Sequence, residues 1–402
     1  TYAVVPTLAH NLPLAETWTP RILSRSYDPT FAPMEKKAGI LLGMGMTEKQ
    51  GGSDVRTTTT WAEPVTDGYR IFGHKWFTSA PMNDAFLILA QAPRGLSCFL
   101  LPRHLPDGSV NEVRIMRLKD KLGNRSNASA ELEFEGALAQ LVGEEGRGVA
   151  TIIEMVNGTR LDCIIGSAGL MRQAVSQAVH HCGHRRAFGG ALVEKPAMIN
   201  VLADLEIETE AAVLLMTRVA RSFDRSEDER EQALRRLIIP VAKFVVTKRC
   251  TEVVHEALEC LGGNGYVEES VMPRLLRESP LNAIWEGSGN VIALDVLRAV
   301  RTHPDSLKVL EEEVLGLDPR VDAAARSTFD LLLGLDQPEG QARLVTERLG
   351  AVLQAALLIH HAGEQVADAF IATRLEGRGG RLYGTLPYAA ALSSIVERAI
   401  PA

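Results

Sequence analysis

The chain has 402 residues, 46% of them hydrophobic, which is enough material for two or three domains with buried cores. Its 43 Lys+Arg against 50 Asp+Glu leave a net charge of −7, which excludes a protein that coats nucleic acid by bulk electrostatics while leaving room for a local basic patch. No run approaches the apolar length of a membrane span, and the first residues lack a basic region followed by an apolar one, so a cytoplasmic protein without a membrane partner is expected. Five cysteines (Cys98, Cys163, Cys182, Cys250 and Cys260) without CxxC spacing point to buried thiols rather than to disulfides or zinc.

In chain order, the first residues are helix-like and open at Thr1, which suggests processing or a preceding region. From about Gly43 to Leu141 short apolar or alternating runs (GYRIFGHKWFTS, AFLILAQAP, LSCFLLPR, EVRIMRLKD, AELEFEG) alternate with Gly, Pro, Asn and Asp. That is the pattern of a β-barrel or small sandwich. From about Gly146 to Val300 the period becomes helical over long stretches, predicting a helix bundle. Beyond the polar break RTHPDS, further Ala/Leu-rich helices are expected, broken at GLDP, LDQPEG and LEGRGG. The acidic run Glu311 to Glu313 reads as a solvated helix face.

Five short constellations carry chemistry. In Gly43 to Val55, glycines at 51 and 52 remove bulk, and Thr47 and Ser53 can present hydroxyls to a ligand; taken alone, such a loop is a turn. In Gly73 to Ser79 an aromatic pair precedes Thr78 and Ser79, which suits a heteroaromatic ring, although in isolation a core tryptophan is the better reading. At His184 to Gly190, Arg185 could meet a phosphate or cap a helix end. Leu261 to Tyr266 places three glycines in four residues, a helix terminator that can also pass close to a ligand. In Ile284 to Asn290, Glu286 lies between Trp285 and a Gly-Ser-Gly turn; desolvation would raise its pKa towards that of a general base, whereas a helix dipole would do the reverse. His180, His181 and His184 lack a carboxylate or cysteine at ligand spacing, so no metal is expected.

Together, in the order TEKQGGSD, KWFTS, KLGNRSNAS, RRAFG, LGGNGY and IWEGSGN, these residues resemble the acyl-CoA dehydrogenase family from about residue 40 to residue 300. The resemblance implies a mostly helical α+β fold: a remnant of an N-terminal helical domain (1–40), a β-barrel domain (41–142), a C-terminal helix bundle (143–300) and an additional helical domain (301–402). It implies FAD held by Met46, Thr47, Gly52, Ser53, Trp76, Thr78, Ser79, Arg185, Gly262, Gly263, Trp285, Gly287, Ser288 and Asn290. Glu286 would be the base for α,β-desaturation of an acyl-CoA, Ser53 and Arg160 would meet the substrate, and a homodimer or homotetramer would complete the pyrophosphate site.

Lys49-Gln50, the run Arg117 to Ser129 and the tail beyond Val300 resemble the family's adaptive-response branch. That branch is associated with double-stranded DNA, alkylation damage and weak dehydrogenase activity. Arg298 and Arg301, with Arg374, Arg378 and Arg381, are the candidate DNA contacts. Over residues 301–402, however, ten Lys+Arg face fourteen Asp+Glu, the wrong sign for a phosphate-binding surface.

Overall fold

The computed structural model describes residues 1–334, 338–387 and 391–400, and the chain divides into two compact units, Thr1–Thr159 and Arg160–Ala402. Leu335–Gln337, the start of the expected break LDQPEG, lie outside the described residues.

The first unit opens with α1 (Val5–Leu8) and α2 (Leu12–Ile22); the Asn11 side chain caps α2 by accepting from the Leu14 N–H. Seven strands follow: β1 (Leu42–Gly45), β2 (Trp61–Val65), β3 (Gly68–Ser79), β4 (Ala85–Ala92), β5 (Gly95–Pro102), β6 (Val113–Leu118) and β7 (Ser129–Val142). Five of them pair in a closed ring, β2-β3-β7-β5-β4 and back to β2 through the Trp61–Gln91 pairing. β1 runs parallel beside β4, and β6 pairs with β7. The expected barrel is therefore present. β2 escapes the sequence pattern because WAEPV carries a glutamate and a proline.

β4 shows why the barrel needs a second layer. Phe86, Ile88 and Ala90 fill the interior with Phe99, Leu132 and Phe134. The alternate residues Ala85, Leu87 and Leu89 pack outward against Val4, Leu8, Trp18, Ile152 and Met155.

A bulge in β3 then sets the functional strand. Lys75 pairs with Leu132 and Thr78 with Ala130, so Trp76 and Phe77 together oppose a single residue. Residues three apart on a regular strand face opposite ways; the extra residue returns Thr78 to the buried side shared by Lys75. Lys75 Nζ meets Glu48 Oε1 at 2.7 Å with both side chains buried. Glu48 also accepts from the Thr59 and Thr60 N–H groups and the Thr59 hydroxyl. Burial pushes the Glu48 carboxyl up, but the Lys75 ammonium and these donors outweigh it and hold the group far below the usual carboxylate range.

Helix α3 (Gly148–His184) leads into the second unit, where the hairpin β8 (Arg186–Ala187) and β9 (Gly190–Ala191) precedes α4 (Pro196–Asp224) and α5 (Glu229–Cys260). Then come α6 (Gly263–Tyr266), α7 (Met272–Glu278), α8 (Gly289–Thr302), α9 (Pro304–Val314), α10 (Pro319–Leu333), α11 (Ala342–His361), α12 (Glu364–Phe370) and α13 (Leu392–Arg398). The buried α5 packs against α4, α8, α9 and α11 in one continuous apolar core, so the helices after residue 301 extend the bundle's core. The acidic run departs from the solvated face expected of it: Glu313 joins Glu231 around the buried Arg218, and Glu312 pairs with Arg230. A buried guanidinium needs those carboxylates, which periodicity alone does not reveal. All five cysteines are free and buried. Among the described residues no group of three metal-ligating side chains exists, and no helix is long and apolar enough to cross a membrane.

Replacing Lys75 with Met leaves Glu48 charged and buried without its cation, and the first unit should lose about 3–5 kcal/mol in urea unfolding. Adding Glu48→Gln should restore much of that loss. Because the folded Glu48 carboxyl titrates below its ordinary 4.5, its contribution is complete above about pH 4.5 and disappears as pH falls further. Wild type should therefore show an acid-side loss of stability that the double variant lacks, and equal acid profiles would contradict the assignment.

Candidate active site

In the first unit the loop after β1 folds against β3. The Trp76 N–H donates to the Thr47 carbonyl at 2.8 Å, and the Lys49 N–H donates to His74 Nε2 at 3.0 Å. Gly52 lies so close that a Cβ there would come within 2.4 Å of the Thr47 hydroxyl, so the loop closes only around glycine. Met46 and Thr47 are half-buried and Ser53 is exposed. Trp76 is half-exposed rather than a core tryptophan, with Lys119 Nζ 3.2 Å from its ring centre and Lys119 itself paired to Glu131. Ser79 accepts from Asn127 at 3.4 Å.

Thr78 Oγ1 is buried and has no hydrogen-bond partner among the described residues, and a Cβ on Gly45 would come within 2.9 Å of it. A buried hydroxyl left unsatisfied beside a half-exposed indole is what a polar heteroaromatic ring would complete. The residues present therefore fit a flavin.

In the second unit, Glu286 adopts a left-handed backbone with φ +58°, followed by Gly287 at φ +108°. It precedes α8 by three residues, so it is not the dipole-stabilised first-turn glutamate of the alternative reading. The turn is held from behind. Arg160 Nε donates to the Glu286 carbonyl at 3.1 Å, and Lys243 Nζ donates to the carbonyls of Trp285 at 2.9 Å and Gly287 at 2.7 Å.

Arg160, expected among the substrate contacts, is buried and also bonds Asp295 at 2.8 Å, so it acts as a positioning group for the turn. Asp295 receives Arg236 at 2.9 Å as well. Trp285 Nε1 donates to Asn282, and Asn282 donates to Ser167. Burial lowers the Lys243 ammonium to about 8 and raises the neighbouring Cys163 to about 12, so Cys163 stays a thiol rather than a nucleophile. Lys243 was not among the residues singled out by sequence, although a single cation in the apolar run IIPVAKFVV is its signal. Ser288 is the residue before α8, and Asn290 Oδ1 accepts from Arg343 at 3.0 Å.

A third group lies elsewhere in the second unit. Arg185 is exposed and shares a cavity with His180, His181, His184 and Leu261, the residue before Gly262 and Gly263. Gly262 takes φ +58° where α5 stops, and a Cβ at Gly265 would strike the Leu258 carbonyl.

The candidate arginines of the tail divide. Arg298 lies 3.7 Å from Asp295 and Arg301 is exposed, but Arg374 turns inward onto Asp204 and Glu208 and so joins no surface cluster with them.

Residues 43–137 match the family described as acyl-CoA dehydrogenase, middle domain, and residues 146–301 match acyl-CoA dehydrogenase, C-terminal domain. The chain is 47% identical over 386 residues to AidB of Escherichia coli (strain K12), which covers 94% of this chain and 71% of that protein. It is 35% identical over 360 residues to acyl-CoA dehydrogenase family member 11 of Caenorhabditis elegans, covering 80% of this chain and 58% of that one. The crystal structure of C. elegans ACDH-11 in complex with C11-CoA superposes with a TM-score of 0.85 at 32% identity, covering 96% of this chain and 72% of that one. With its middle β-sheet domain, its C-terminal helical domain and this degree of identity, the chain belongs to the acyl-CoA dehydrogenase family.

Proposed function

We propose that this chain is an FAD-dependent oxidoreductase that desaturates an acyl thioester, with Glu286 as the base that removes the α-proton. The observation that carries the reading is the left-handed Glu286, whose own carbonyl and both neighbouring ones are fixed by Arg160 and Lys243. A non-glycine residue in that conformation costs about 1–2 kcal/mol and persists only where its surroundings impose it, which is a property of functional turns.

An α-hydrogen beside a thioester is a weak acid, so its removal needs a carboxylate at a fixed position. The clamp supplies that position by holding the backbone on either side of the carboxylate. Met46, Thr47, Gly52, Ser53, Trp76, Thr78 and Ser79 would line the flavin ring, with Thr78 Oγ1 gaining the partner it lacks. Trp285, Gly287, Ser288 and Asn290 would border FAD from the turn, and Arg185 with Gly262 and Gly263 would hold its pyrophosphate. Bound FAD would supply the acceptor for the β-hydrogen. The C11-CoA bound by ACDH-11 supports a thioester as the substrate class. A homodimer or homotetramer accompanies this reading.

Anaerobic titration of the FAD-loaded protein with a panel of acyl-CoAs should bleach the flavin with at least one of them. Glu286→Gln should slow that bleaching by about 10²-fold or more while the protein stays yellow; a colourless variant would make Glu286 structural. Lys243→Met frees two of the three clamped carbonyls and should lower kcat by about 10²-fold with a smaller change in KM. A variant that loses stability but keeps kcat would refute the positioning role of Lys243.

A further inference from the structure

A polar cavity of the second unit lies apart from the Glu286 turn, between α4, α5, α10 and α11 and the segment from Thr373 to Tyr383. Its volume is about 590 Å³, within the range of small-molecule sites. Much of its wall comes from residues beyond 301, outside the stretches matched by the two family domains.

At its base, Arg249 and Arg374 are already satisfied. Both contact Glu208 at 3.0 Å, and Arg374 also contacts Asp204 at 2.6 Å. Burial pushes the Glu208 carboxyl up, but Arg249 and Arg374 outweigh it and bring it down to about 2. The base is therefore a neutralised, rigid network.

Two features remain unused. The Tyr383 hydroxyl is buried and has no hydrogen-bond partner among the described residues, although Arg249 lies over its ring at 5.3 Å. This is not slack in the chain: the Gly384 N–H donates to Asp204 at 2.9 Å, and Asn200 bonds both the N–H and the carbonyl of Leu386. At the rim, Arg348 and Arg381 are exposed, and among the described residues neither makes an ion pair or hydrogen bond. Among the described residues Glu347 is the only lining carboxylate not engaged by a cation, so the uncommitted charge of the cavity is +1. Val352, Phe370 and Leu375 supply apolar wall between rim and base.

We propose that this cavity binds a small organic oxyanion, a carboxylate or phosphate monoester with a compact apolar body. The oxyanion meets Arg348 and Arg381 at the rim, the body packs on Phe370 and Val352, and an acceptor atom takes the Tyr383 hydroxyl. Two guanidinium forks and an orphaned donor facing one cavity are complementary to such a ligand. The site is separate from the thioester chemistry and does not depend on it.

4-Hydroxybenzoate and 4-hydroxyphenyl phosphate, each with an acceptor oxygen on the ring opposite the headgroup, are the probes, titrated calorimetrically into the FAD-loaded full chain. At least one should bind with Kd below about 1 mM, and which one binds distinguishes the two headgroups. Arg348→Ala with Arg381→Ala should weaken binding about tenfold or more. Tyr383→Phe should weaken it several-fold without lowering the Tm of the unliganded chain, because the hydroxyl has no internal partner to lose. Glu286→Gln should leave binding unchanged, which separates this site from the thioester site. Absence of binding by both probes at about 10 mM, affinities indifferent to the arginine and tyrosine variants, or a lowered Tm in unliganded Tyr383→Phe would each overturn the proposal.

Discussion

Two buried cations fix the turn on which the proposed chemistry depends. Lys243 and Arg160 reach the three successive carbonyls of Trp285, Glu286 and Gly287 from α5 and α3, and Asp295 on α8 anchors Arg160 in turn. Cations buried in an apolar bundle are unfavourable unless their donors are satisfied, so the network and the turn select one geometry together. That geometry depends on the close packing of α3, α5 and α8, which brings the three helices into one core. Bundle packing, cation placement and the left-handed glutamate are thus consecutive links of one chain of cause.

The barrel meets its own demand in the same way. Glu48 and Lys75 form a buried pair that ties the loop after β1 to β3, and the bulge after Lys75 brings Thr78 to the same side. In each unit the residues nearest the proposed chemistry are held by charge buried in an otherwise apolar layer. In the barrel, the Thr78 hydroxyl is left for a ligand to satisfy. Specificity of position, rather than net stability, is the physical return on burying such groups.

Much of the architecture was legible because it is periodic. The alternation in AFLILA and the long helical period after Gly146 require strands and then helices, and the glycine-rich motifs mark where backbone must turn sharply or approach closely. What escaped notice depended on neighbours distant in sequence. WAEPV closes the barrel through one pairing with Gln91, yet its proline hides a strand. Glu313 looks solvated until Arg218 is placed beside it, and Arg374 looks like a surface cation until Asp204 and Glu208 enclose it. Of the residues in the proposed site, Glu286 stands out in the sequence by its motif, whereas Lys243 and the internal role of Arg160 follow only from the folded backbone they hold.

The proposed chemistry requires Glu286 to exchange a proton with the carbon next to a thioester carbonyl. The direct measurement is deuterium incorporation at the α-carbon of a bound acyl-CoA in D₂O, followed by mass spectrometry of the recovered thioester without an electron acceptor. Wild-type protein should label that carbon at a rate well above the uncatalysed one, and Glu286→Gln should reduce labelling to background. Labelling that persists undiminished in Glu286→Gln would assign the proton transfer to another group and rule out Glu286 as the base.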